Sequence, residues 1–326
     1  MTTDSGLRTT RRRTAVEAYT SASTFGTFGE LLQGALPDGP DFLVTMPIAR
    51  WSTARFLLDP SAAAVHVRPA RKVKSRRLVD AMLRRYGVTA GGVLYVDSEL
   101  PEGKGLASSS ADMVATAAAV GRAIGIDPGP AVIEDLLRPI EPSDGVMHHG
   151  VVAFAHREVR LHRHLGHLPP LTVVGIDEGG QIETVAFNQR PKAFTRGHRR
   201  TYERLLDTLG GAVLAGDART IGDVATRSAL MNQRLCPKRC LDDMIAICAE
   251  VGGAGVVTAH SGTALGILLD RARPGYAARL ERTRLACARL AGTVWVDHCL
   301  PGFESVVDSR SAYLPGGRSL SVSAGS

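Results

Sequence analysis

The sequence lacks any run of about 18 uncharged apolar residues, which excludes a helix built to cross a bilayer. Near its start it also lacks the apolar stretch that a secretory signal requires. There Arg11, Arg12 and Arg13 lead into Thr14, Ala15, Val16 and Glu17 rather than an apolar stretch, so a cytoplasmic chain with no membrane partner is expected. Cysteine is sparse. Cys236, Cys240, Cys248, Cys287 and Cys299 are odd in number, confined to the second half and never spaced Cys-x-x-Cys. That pattern argues against zinc or dithiol chemistry and for reduced, structural thiols. No Gly-x-x-x-x-Gly-Lys-Ser/Thr occurs, which excludes a Walker-type nucleotide loop. No repeat with a period of about 20 to 50 residues is visible, so a solenoid is not expected.

What is present suits two ordinary domains: 326 residues, 44% of them hydrophobic, are enough for two cores. The formal charge is +7, and its source is local. Between Arg68 and Arg85 stand eight Lys/Arg (Arg68, Arg71, Lys72, Lys74, Arg76, Arg77, Arg84, Arg85) against Asp80 alone, a surplus of seven. Leu78, Val79, Met82, Leu83 and Tyr86 recur there at helical spacing, so the cations are expected on the wet face of an amphipathic helix that can draw in an anionic substrate. Nucleic-acid binding by the same segment is the rival reading; the expectation is for no nucleic-acid partner.

Strand-like runs at Phe42–Met46, Val93–Val96, Val151–Ala155 and Leu171–Ile176 alternate with helical runs at Ala111–Ile124, Ala131–Leu137 and Thr201–Leu209, which makes a mixed α and β chain. Pro169 and Pro170 mark the expected boundary. The division is then a basic tail over 1–19, a first domain over 20–168, a second over 169–308 and a Ser/Gly-rich tail over 309–326.

The strongest local pattern is Pro101, Glu102, Gly103, Lys104, Gly105, Leu106, Ala107, Ser108, Ser109, Ser110, Ala111, set between an alternating strand and an alanine-rich helix. The glycines allow close backbone approach to an anion, the serines offer hydroxyls, and the helix start offers free N–H groups and positive dipole potential. Polyphosphate fits such a unit. A simple capping device shows the same residue types, so the pattern by itself leaves both readings open.

Pro101 to Ala111 resembles the ATP loop of the GHMP kinases, Pro-x-x-x-Gly-Leu-Gly/Ala-Ser-Ser-x-Ala, at every fixed position. Ser23 to Gly34, which contains Gly29-Glu30, resembles that family's N-terminal substrate motif, and Val257 to Gly266 resembles its last glycine-rich loop. Within the family the chain is most similar to the L-threonine kinase branch. That likeness rests on Gly29-Glu30-Leu31-Leu32-Gln33-Gly34, Trp51-Ser52-Thr53, Lys104 to Ser109, Ile140-Glu141-Pro142-Ser143-Asp144 and Ala259-His260-Ser261-Gly262. Departures are the basic N-terminal extension, the histidine-rich stretch from His148 to His167, and Ala107 where the family usually has glycine.

The resemblance implies an α+β, two-domain GHMP kinase fold with a first half like domain 2 of ribosomal protein S5 and a ferredoxin-like second half. It implies ATP and Mg2+ as ligands and a small-molecule substrate, L-threonine, phosphorylated on its side-chain hydroxyl for the cobalamin side chain. Homoserine, another threonine-like alcohol or a polyol is the alternative, and a non-catalytic ligand-binding relative the rival of another class. A homodimer is left open.

The site residues are expected as follows. Asp144 orients the acceptor hydroxyl, although an aspartate in that position also suits a turn. Pro101 through Ser110 hold ATP, with Lys104 contacting phosphate or alcohol unless it is simply solvated. Ser109 and Glu141 hold Mg2+, with Glu134 as the alternative ligand. Gly29, Glu30, Asp144, His260, Ser261, Gly262 and Thr263 hold the substrate, Glu30 by pairing with its ammonium group unless a lysine or arginine takes that place. Lys238 and Arg239 are candidates for its carboxylate. The histidines of 148–167 invite a metal reading, but His148 and His149 are adjacent, a spacing that no single-face site readily uses.

Overall fold

The computed structural model describes residues 19–180 and 194–300; the two expected tails lie outside them except for Tyr19. The chain opens with two long strands, β1 (Thr20–Ala35) and β2 (Asp41–Asp59), paired antiparallel from Thr20↔Phe56 to Ala35↔Asp41. There follow β3 (Val65–Arg68), α1 (Val73–Arg85), β4 (Gly91–Ser98), α2 (Ser108–Ala123) and α3 (Pro130–Leu137). Next come β5 (Val151–Ala155), β6 (Arg160–Gly166), β7 (Leu171–Asp177), α4 (Arg196–Ala215), α5 (Ala218–Asn232) and α6 (Leu241–Val251). The described chain ends with β8 (Gly255–Thr258), β9 (Ala264–Asp270), α7 (Tyr276–Ala291) and β10 (Val294–His298). The expected strand and helix runs fall inside these elements, except that α2 ends at Ala123 and Ile124, the last residue of its expected run, is the C-cap. No described helix is long and apolar enough to cross a membrane.

One sheet runs through both halves in the order β10-β7-β9-β8-β1-β2-β4-β3, with β5 and β6 branching from β2. Among the described strand pairs only β3–β4 is parallel. Within the sheet the halves join where β1 pairs with β8 at Glu30↔Thr258, beside two register shifts in β1 between Thr27 and Leu32, and an isolated bridge, Ile48↔Cys299, ties them again. Irregular pairing at that seam opens the sheet where the chemistry described below gathers.

Helices cover the sheet in three apolar clusters. α1, α2 and α3 pack Leu78, Met82, Met113 and Leu137 onto Phe25, Trp51, Phe56 and Leu94. α4 and α5 bring Tyr202, Leu206 and Ile221 against Phe28, Leu31, Val44 and Met46, which joins the halves. α6 and α7 cover β7 and β9 through Met244, Cys248, Cys287, Val174 and Ile267. The sequence explains each helix locally. α1 buries Ser75, Leu78, Val79, Met82 and Leu83 along one stripe. α2 is buried from Ser110 to Gly121, which only a run of mostly small side chains allows at close helix–sheet distance. α4 starts on a Thr195–His198 capping box, and α5 on Asp217, whose carboxylate accepts from Arg219 N and Thr220 N.

Gly29 is what allows the β1–β8 seam to close. Its φ is +55°, and a Cβ there would lie 2.5 Å from Thr258 O. Gly29→Ala is expected to cost about 2 kcal/mol of stability through left-handed strain and displacement of β8, read as a lowered thermal unfolding midpoint. An unchanged midpoint would contradict this account of the seam.

Candidate active site

A cavity of about 320 Å3 opens at this seam, bounded by Glu30 on β1, Lys72 and Lys74 at the start of α1, Pro101–Gly103, Gly105–Ser110, Glu141–Asp144, and His260 and Ser261. The glycine-rich segment is held there by backbone bonds from both halves. Thr27 N donates to Leu106 O (3.2 Å), Gly29 N to Gly105 O (3.1 Å) and Ala264 N to Lys104 O (3.3 Å). Gly262 lies so close that a Cβ on it would stand 2.0 Å from Lys104 O. The three motifs singled out in the sequence therefore meet in one place.

α2 enters the cavity wall after Ala107, which sits in the left-handed region at φ 56°, and no side chain caps the helix. The three serines diverge. Ser108 Oγ donates inward to Leu100 O at 3.2 Å, Ser109 Oγ donates to Glu141 Oε1, and Ser110 Oγ accepts from Asp144 N at 3.0 Å and faces Asp144 Oδ2 at 3.3 Å. The hydroxyls thus organise the two carboxylates. The N–H groups of an uncapped first turn, with their dipole, suit an anion.

Three carboxylates share the cavity. Burial, reinforced by the negative charge of Glu141, pushes Asp144 up to about 6 in spite of its bond to Ser110. Burial and then the charge of Asp144 raise Glu30 well above the usual carboxylate range, and Glu30 Oε2 has no hydrogen-bond partner. Glu141 is 7% exposed and bonds Ser109 and Lys74. Glu134 points elsewhere: its Oε1 meets His148 Nε2 at 2.7 Å and accepts from Leu161 N at 3.0 Å, and it does not line the cavity. Of the two glutamates considered for metal, the geometry brings only Glu141 to the serine loop.

The cations differ from the sequence reading. Lys104 turns away from the cavity; its ammonium meets Asp177 Oδ2 at 2.6 Å and Gly180 O at 2.8 Å, where Thr263 also bonds Asp177. Lys238 is buried against Gly262 O and Cys236 Sγ, and Arg239 is held by Glu178, so neither lines the cavity. Instead the cavity receives Arg71, Lys72 and Lys74. Lys72 is buried, 2.5 Å from Asp112 Oδ2 and 2.7 Å from Glu102 Oε1, and Asp112 accepts from Ser52 Oγ at 2.6 Å. Burial opposes its charge, yet the bonds to Asp112 and Glu102 hold the Lys72 ammonium above the ordinary lysine range. The basic segment is therefore not wholly a solvated face: Arg76, Arg77, Arg84 and Arg85 are exposed, whereas the cations at the helix start turn inward. One sequence signal for this was available. Cations at a helix N-terminus oppose the dipole, and α1 has no acidic residue in its first turn to offset them.

His260 and Ser261 line the cavity from the β8–β9 loop, with His260 Nδ1 2.7 Å from Gln33 Oε1 and its ring 5.1 Å from that of His156. His156 was not anticipated. His148 and His164 meet edge to face, their ring centroids 5.4 Å apart, away from the serine loop.

Residues 73–157 match the family model for the GHMP kinases N terminal domain. The L-threonine kinase of Citrobacter freundii is 28% identical over 250 residues, 75% of this chain and 84% of that one. Among solved structures, the mevalonate kinase of Methanococcus jannaschii aligns with a TM-score of 0.68 at 13% identity over 89% of this chain and 100% of its own. A homoserine kinase from Cytophaga hutchinsonii aligns at 0.65 with 14% identity, covering 87% and 95%.

Because the folded pKa of Asp144 lies above its unfolded value, the native state binds more protons, and its burial removes stability as pH rises from about 4 to about 6. Asp144→Asn is expected to stabilise the ligand-free protein by on the order of 1–3 kcal/mol above pH 6, with the gain shrinking toward pH 4. Denaturant melts across that range check it; a loss of stability at pH 7.5 would contradict the reading.

Proposed function

We propose, from a chain that carries the GHMP kinase N-terminal domain in the GHMP kinase fold, that it is an ATP-dependent kinase phosphorylating the side-chain hydroxyl of L-threonine. The observation that carries this reading is the placing of Asp144 and Glu141 on successive serines of an uncapped helix start, with the unpartnered Glu30 oxygen in the same cavity. The similarity to an L-threonine kinase supports the choice of acceptor. A role in making the cobalamin side chain is part of the same proposal.

The donor set fits a metal–nucleotide. Glu141 and the Ser109 hydroxyl are hard oxygen donors of the kind magnesium takes, and the first turn of α2 offers backbone N–H groups for phosphate. Bound magnesium would neutralise charge on the transferring phosphoryl group. The chain's own residues do the rest. Glu30 pairs with the substrate ammonium, which relieves the cost of a buried carboxylate lacking a partner. Asp144, oriented by Ser110 and raised to about 6, accepts the hydroxyl proton as that oxygen attacks the terminal phosphorus in line and the bond to the bridging oxygen breaks, releasing ADP. Lys72 holds Glu102 and Asp112 in place beneath the loop. The same roles would serve in a two-domain division near residue 168, with substrate and nucleotide sharing the seam.

Asp144→Asn is expected to lower kcat by about 10^2 to 10^4-fold with ADP affinity nearly unchanged, and Glu30→Gln to raise KM for L-threonine more than it lowers kcat. A phosphorylation panel over L-threonine, L-serine, L-homoserine and common polyols, followed by ADP release, tests the acceptor. Preference for homoserine or a polyol would replace the threonine assignment, and no turnover on any acceptor would refute the kinase reading.

A further inference from the structure

Both oxygens of Glu141 are engaged in the ligand-free chain: Oε1 by the Ser109 hydroxyl and Oε2 by the Lys74 ammonium. The two partners of that ion pair are unequal in burial. The Glu141 side chain is 5% exposed and that of Lys74 43%, so the lysine reaches in from the rim to a buried carboxylate. Without it Glu141 would be a buried charge satisfied by one hydroxyl, an arrangement that is costly. Lys74 therefore sits at the oxygen a divalent cation would need. An ammonium and a divalent cation cannot both stay within bonding distance of one carboxylate oxygen, because their repulsion in a partly dry site outweighs what either gains there.

Resting on the kinase reading above, we propose that Lys74 is a displaceable stand-in for the divalent cation at Glu141, and that metal binding hands its ammonium over to the phosphates held at the start of α2. The neighbouring lysine gives the contrast. Lys72 is buried and fixed by two carboxylates, Asp112 and Glu102, and is not free to move. Lys74 has one carboxylate partner, an exposed flexible stem and three donors, and it stands in the first turn of α1, where the helix dipole disfavours a cation and no acidic residue offsets it. An anion arriving at the cavity offers the displaced ammonium a better place than solvent. Metal and nucleotide then favour each other's binding reciprocally: the cation alone must expel Lys74 into water, whereas with phosphate present the lysine exchanges one anionic partner for another.

The test uses binding rather than turnover. Mn2+ affinity of the full ligand-free chain is read from the free-ion electron paramagnetic resonance signal, and ADP affinity in EDTA by calorimetry, for the wild type, Lys74→Met and Lys74→Arg. Lys74→Met is expected to bind Mn2+ about tenfold more tightly than wild type and ADP about tenfold more weakly, two changes of opposite sign. Lys74→Arg, which keeps a cation at Glu141, is expected to bind Mn2+ as weakly as wild type, which also guards against reading a folding defect as an effect. Weaker or unchanged Mn2+ binding by Lys74→Met would overturn the stand-in role while leaving the kinase reading intact. Failure of the wild type itself to bind ADP would overturn both.

Discussion

The glycine-rich turn before α2 is clamped from both sides by main chain. β1 supplies the amides of Thr27 and Gly29 from the first half, and the start of β9 supplies the amide of Ala264 from the second. Backbone bonds of this kind need close approach, which is why Gly29 and Gly262 stand at the contacts: a Cβ on either would strike a carbonyl oxygen. With the turn fixed, the first three residues of α2 have set directions. Ser109 faces Glu141, Ser110 faces Asp144, and the uncapped helix end faces the cavity. The alanine-rich body of α2, buried on nearly all sides, lets that end sit deep in the protein instead of at its surface.

Charge follows from this placement. Glu30, Asp144 and Glu141 line one cavity, and burial raises the first two above the usual carboxylate range. Such a cluster works against stability in the absence of ligands and suits cationic ones, a metal ion on one side and an ammonium group on the other. Cations at the start of α1 complete the balance. Lys72 is locked with Asp112 and Glu102, Arg71 pairs with Glu102 at the rim, and Lys74 reaches Glu141 from the rim as the counter-charge proposed to move.

Much of this was legible in the sequence. The loop from Pro101 to Ser110 was marked by residue type, whereas the Gly29-Glu30 pair within β1 and the His260–Thr263 loop were marked by resemblance, as was their convergence, because no local pattern encodes a backbone bond between residues 29 and 105. The expected strands and helices were read correctly where hydropathy was periodic. The full length of β1 and β2 was not, since a central strand buried on both faces loses its alternation. Side-chain direction was the least legible property. Lys104 lies within the loop yet turns to Asp177, while Lys72 and Lys74, which composition placed on a wet helix face, turn into the cavity. The choice between Glu141 and Glu134 likewise depended on a tertiary partner, His148, that draws Glu134 away.

The central claim is that the uncapped start of α2 holds polyphosphate opposite Asp144. A crystal structure of the full chain with a non-hydrolysable ATP analogue and magnesium tests it most directly. The account predicts phosphate oxygens within hydrogen-bond distance of the amides of Ser108 to Ser110, the metal on Glu141 and Ser109, and Asp144 facing the terminal phosphate. A nucleotide bound elsewhere, or a terminal phosphate remote from Asp144, would contradict it.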